Sequence, residues 1–107
     1  MNKQTLVALS ILALCAPAYA AKGDAEAGRT KSQPCKACHG EAGISLSPEF
    51  PKIAGQHPDY LATALRHYKL GKRKNPIMAG QVANLSEKDM LDLAAYYATQ
   101  SGLAIKY

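Results

Sequence analysis

The sequence predicts a small all-α domain of about four helices. Apolar residues recur at helical spacing, proline and glycine separate the periodic segments, and no run of residues reads as a convincing strand.

The first helix runs from Asp24 to about Gln33, with Asp24 or Gly23 at its N-cap and Pro34 stopping it. Gly28 falls inside, an unfavourable helix position that close packing of a second helix against bare backbone would explain. A short helical turn through Cys35 to His39 follows, and Gly40 ends it. Residues Gly43 to Gly55 read as a loop carrying Pro48 and Pro51. Pro58 suits the first turn of a helix reaching about Leu70, with Gly71 as C-cap. Leu61, Ala64, Leu65 and Tyr68 share one face of it, while Arg66 and Lys69 point away. Lys72 to Asn84 reads as a second loop, containing Pro76 and Gly80. Ser86 opens the last helix, and Asp89 three residues on makes a variant of the capping box. Met90, Leu93, Ala94 and Tyr97 form its apolar stripe, with Asp89, Asp92 and Tyr96 outward and Gly102 as the stop.

Residues 1–20 have the layout of a secretory signal peptide. Lys3 is the positive n-region, Leu6 to Leu14 an apolar core broken only by Ser10, and Ala18-Tyr19-Ala20 an A-x-A cleavage site. The apolar run is too short for a permanent membrane anchor. Cys15 falls inside the segment, and Leu14 stands before it where lipoprotein acylation calls for a small residue. Cleavage leaves residues 21–107 as one domain. Lys3 is the segment's one charged residue, so the net charge changes from +5 to +4. A basic surface meets nucleic acid, anionic lipid or acidic protein. Export and the lack of basic-aromatic interleaving argue against nucleic acid.

Cys35-Lys36-Ala37-Cys38-His39 carries the chemistry. C-x-x-C-H is the signature of covalent c-type haem attachment. Two thiols one helical turn apart reach the two vinyl groups along one porphyrin edge, and the adjacent histidine is carried beneath the iron. Export supports this, because thioether attachment takes place outside the cytoplasm. A zinc site wants a second close pair of ligands, whereas His57 and His67 are ten apart and no further Cys follows. A thiol-disulfide oxidoreductase using Cys35 and Cys38 wants a βαβ framework. A domain this small, with five tyrosines (the chain's sixth, Tyr19, falls in the signal segment), one phenylalanine and no tryptophan, also needs a staple, and a buried haem serves as one.

The order helix, C-x-x-C-H, proline-rich loop, helix, methionine loop and terminal helix resembles class I c-type cytochromes. The match is to short bacterial members of the cytochrome c-553 type and to single domains of periplasmic dihaem cytochromes. It rests on Cys35 to Gly40, on Phe50-Pro51-Lys52-Ile53-Ala54-Gly55-Gln56, on Asn75-Pro76-Ile77-Met78-Ala79-Gly80 and on Leu93-Ala94-Ala95-Tyr96-Tyr97. The resemblance implies a small cytochrome c fold wrapped around one covalently bound haem c. Cys35 and Cys38 would be thioether anchors, with His39 and Met78 the axial iron ligands. It further implies that the Pro51 carbonyl accepts from the ring of His39, and that Gly28 and Tyr97 meet where the first and last helices cross.

Independently of the resemblance, Met78 lies in a loop able to fold across a haem face, whereas Met90 lies on a helical core stripe. His57 and His67 are rival sixth ligands. A neutral thioether beside His39 favours Fe(II), raises the potential and leaves no vacant site. That describes a periplasmic carrier of single electrons rather than an enzyme. The alternatives are a haem enzyme or gas sensor with an open sixth site, and the thiol pair. Lys69, Lys72, Arg73 and Lys74, joined by Lys36 and Lys52, read either as a solvated helix end or as a docking rim for acidic redox partners. Asn75, Gln56, Tyr60 and members of the basic run are candidates to hold the haem propionates.

Overall fold

The computed structural model describes residues 21–102. The signal peptide, with Cys15, lies outside the described residues. Five helices follow in order: α1 (Ala25–Lys31), α2 (Gln33–His39), α3 (Pro58–Lys69), α4 (Pro76–Val82) and α5 (Glu87–Ala98). There is no strand among the described residues, and no helix there is long and apolar enough to cross a membrane.

The all-α expectation holds, with three local differences. First, α1 ends at Lys31, not Gln33. Ser32, fully buried, ends α1 and begins α2, and its hydroxyl donates to the Arg29 carbonyl at 2.7 Å. Pro34 therefore does not stop α1 but sits in the first turn of α2, where its missing N–H costs nothing. Second, the methionine segment is a helix. Asn75 caps it by accepting the Ile77 and Met78 N–H groups at 3.0 and 3.1 Å, and Pro76 occupies the first turn. Third, α5 ends at Ala98, with Thr99 as its C-cap. Its N-terminus is as expected: the Asp89 N–H donates to the Ser86 hydroxyl at 3.1 Å, and the Ser86 N–H to the Asp89 carboxylate at 2.9 Å.

Helix α5 is the spine of the domain. Leu93, Ala94 and Tyr97 pack with Leu61 and Ala62 of α3, and Met90 is buried. Helix α1 crosses α5 on another side. A Cβ on Gly28 would stand 1.9 Å from the Asp92 carbonyl oxygen and 2.8 Å from the Tyr96 Cβ, so only glycine permits this approach. The crossing is thus Gly28 on Asp92 and Tyr96, while Tyr97 borders the cleft described below.

Asp92 and Tyr96 are accordingly buried rather than outward, with Asp92 only 1% exposed. The Asp92 carboxylate accepts the Asp24 N–H at 2.8 Å, Lys31 Nζ at 2.7 Å and Lys88 Nζ at 2.9 Å. Those donors hold its ionisation far below the usual carboxylate range, the Asp24 amide contributing most.

Candidate functional site

Two apolar clefts of about 270 and 230 Å³ share part of their lining. Cys35, His39, Pro51 and Met78 border both. Helix α2 brings Cys35, Cys38 and His39 together because positions three and four apart share a helix face. Cys38 borders only the second cleft, beside Phe50, Ile77 and Asn75. Leu61, Ala64, Leu65 and Tyr68 of α3, placed on one face by their spacing, all border the first, with Leu93 and Tyr97 of α5.

His39 is buried, and its Nδ1 lies 2.8 Å from the Pro51 carbonyl oxygen. A carbonyl only accepts, so Nδ1 carries the hydrogen and Nε2 keeps its lone pair. That bond fixes the ring's tautomer and orientation, as hydrogen-bond acceptors behind metal-bound imidazoles do. Gly43 helps place the Pro51 loop: its carbonyl accepts the Ile53 and Ala54 N–H groups at 2.9 and 3.1 Å.

Met78 sits in the third position of α4. Met90 borders neither cleft and belongs to the core. The rival ligands are elsewhere. His57 is exposed at the start of α3, its backbone N–H donating to Gln56 Oε1 at 3.0 Å, and His67 borders neither cleft. Among the described residues, no group of three or more His, Cys, Asp or Glu side chains converges, so the zinc alternative finds no ligand set there.

Cys35 and Cys38 are unbridged and half-buried. Burial pushes the Cys35 thiol up, only partly opposed by the Tyr97 hydroxyl. A dithiol oxidoreductase needs the reverse, a thiol lowered towards neutrality. The Tyr97 hydroxyl is buried beside Cys35 without a hydrogen-bond partner, and that burial drives its ionisation well above the usual phenol value. Two thiols, an imidazole with a free Nε2 and a thioether on apolar walls form a donor set that fits a covalently tethered haem and is ill suited to a hydrated metal ion.

An all-α domain with this donor set defines a haem protein of the covalently attached type. The cytochrome c family profile matches residues 25–101, and the chain belongs to that family, whose cofactor is covalently bound haem c. It is 47% identical to cytochrome c4 of Pseudomonas aeruginosa over 100 residues, covering 94% of this chain and 49% of that protein. It is 41% identical to cytochrome c-554(548) of Halomonas halodenitrificans over 81 residues, covering 73% of this chain and 98% of that one. The crystal structure of reduced recombinant cytochrome c4 from Pseudomonas stutzeri superposes with a TM-score of 0.72 at 43% identity, over 76% of this chain and 47% of that one. The chain thus spans about half the length of the cytochrome c4 relatives it matches.

Proposed function

We propose that this chain carries single electrons through one haem c, tethered by Cys35 and Cys38 and ligated at iron by His39 and Met78. The observation that carries the reading is the shared lining: among the described residues, the one buried imidazole, oriented by Pro51, and the one methionine outside the core border the same two clefts.

The haem supplies a one-electron Fe(III)/Fe(II) couple. Pro51 orients His39, leaving Nε2 to face the cleft's occupant. The Met78 thioether, soft and neutral, favours Fe(II). Asn75 holds the first turn of α4 through two amides and so fixes Met78 in place. The apolar side chains of α3 and α5 keep water from the cleft. Held by both His39 and Met78, a bound haem would offer no open site to dioxygen or peroxide, which supports a carrier rather than an enzyme.

The signal-peptide pattern of residues 1–20 supports export to the periplasm. The net positive charge supports acidic redox proteins as partners, met as a free monomer or as a subunit of a redox complex.

Visible spectra of the periplasmic protein test the reading. A sharp reduced α-band together with the weak far-red Fe(III)–sulfur band is expected. A high-spin spectrum would favour an open-site enzyme or sensor, and the lack of any haem band would return Cys35 and Cys38 to thiol chemistry.

A further inference from the structure

We propose that Arg73, held between Tyr60 and Tyr68 at the first cleft, is the counter-charge for a propionate carboxylate of the haem. This assignment rests on the haem reading above.

The local sequence explains why Arg73 is held. Helix α3 stops at Lys69, Leu70 caps it, and Gly71 takes φ 72°, a left-handed conformation suited to glycine. The chain turns back, and the Arg73 N–H donates to the His67 carbonyl at 3.1 Å. Its guanidinium carbon then stands 5.1 Å from the Tyr68 ring centre and 6.0 Å from that of Tyr60. Nη1 donates to the Tyr60 hydroxyl at 3.3 Å. Stacking of this kind preorganises a guanidinium, so less conformational freedom is lost when its remaining donors meet a carboxylate.

Charge bookkeeping points the same way. Arg73 and Lys52 border the first cleft, and no Asp or Glu does. Neither forms an ion pair among the described residues, whereas Arg29, Lys31, Lys36, Arg66 and Lys88 each meet a carboxylate. Two cations on an apolar cleft without a protein acid leave the anion to come from the occupant. A haem brings two carboxylates, on the edge away from its vinyl groups. Cys38, one of the residues that would hold the vinyl edge, borders only the other cleft. Of the propionate candidates in the sequence, Asn75 is committed to capping α4, while Tyr60 supports Arg73.

The test is the reduction potential of haem-loaded Arg73→Gln, Arg73→Lys and Lys74→Gln proteins at low and high salt. A cation beside a propionate offsets its negative charge and favours Fe(II). Arg73→Gln should therefore lower the equilibrium constant for reduction about tenfold, a fall of about 59 mV for one electron. Arg73 is itself exposed, but a haem in the cleft would cover its contact with the carboxylate and limit screening, so part of the shift should survive high salt, and Arg73→Lys should recover part of it. Lys74→Gln, off the cleft, should move the potential less and only at low salt. An Arg73→Gln shift no larger than that of Lys74→Gln, or one abolished by salt, overturns the assignment. A wild-type protein without a haem spectrum would instead overturn the parent reading, and this proposal with it.

Discussion

The carboxylate of Asp92, in the middle of the last helix, accepts the backbone N–H of Asp24, at the cap of the first, at 2.8 Å. The residue that caps α1 with its side chain is itself pinned by its amide to α5. Two lysines, Lys31 and Lys88, close over the same carboxylate. The helix crossing beside α2 is therefore tied by a buried charge, not by apolar contact alone.

Replacing Asp92 by Ala should cost about 2–4 kcal/mol, because a partly buried amide and two lysines lose their acceptor together. Asp92→Asn should cost less, since it keeps an oxygen for the Asp24 amide. Chemical unfolding of the three haem-loaded proteins checks the order, and equal stability of all three would mean that the network contributes nothing.

The same network sets the acid limit of the fold. Lys31, then the Ser86 amide, hold Asp89 at about 2, and Asp92 is lower still. Both values are depressed relative to the unfolded chain, near ~3.9, so folding favours the ionised forms. Their contribution is complete above about pH 4 and is lost as pH falls through the folded values, that of Asp89 near 2 and that of Asp92 below it. Wild-type thermal stability should drop across that window, and Asp92→Asn should drop less steeply. Parallel profiles would show that Asp92 is not responsible.

Gly28→Ala should be severe. The added carbon meets the Asp92 carbonyl at 1.9 Å, and backbone cannot swing aside. Separating α1 from α5 costs at least ~2 kcal/mol by analogy with overpacked cores. Gly80→Ala, with nothing within 4 Å of the new carbon, is the matched control and should be neutral or slightly stabilising. Thermal melts that fail to separate the two would refute the close approach.

What was legible in the sequence follows the range of each interaction. The cap at Asp24, the capping box of Ser86 and Asp89, and the α3 face of Leu61, Ala64, Leu65 and Tyr68 depend on neighbours within one or two turns. Each appears where periodicity and cap chemistry put it. Asp92 and Tyr96 depart from the outward placement because a stripe gives a helix one buried face, whereas α5 is packed by α3 on one side and α1 on another. Asp92 is buried by partners more than sixty residues away, which no local pattern reports. Helix α4 was hidden by its proline and glycine, although Asn75-Pro76 is a cap followed by a first-turn proline. At the site, C-x-x-C-H is local and was read directly. The Pro51 carbonyl's place at His39 depends on how the intervening loop folds, and it came from resemblance alone.

Met78→Ala should open the sixth coordination position without unfolding the chain, since the Asn75 cap of α4 uses the backbone and not the thioether. The far-red sulfur band should vanish, and cyanide or carbon monoxide should bind. Ligand exclusion equal to wild type would remove Met78 from the iron.

The basic rim is narrower than its sequence run implies. Lys36 is paired with Glu41 at 2.7 Å, and Lys69 donates to the Leu85 carbonyl. Lys52, Lys72 and Lys74 are exposed and form no ion pair among the described residues. Docking that depends on the rim should respond to these three and barely to Lys36. Each of Lys52→Glu and Lys72→Glu should slow bimolecular electron transfer to an acidic acceptor several-fold at low salt, by losing attraction and adding repulsion. Raising ionic strength should slow the wild type and shrink the difference, as the Debye length falls from about 30 Å at 0.01 M to about 8 Å at 0.15 M. Stopped-flow rates across that range decide it. A rate independent of salt, or a Lys36→Gln effect as large as that of Lys72→Glu, would place docking away from this rim.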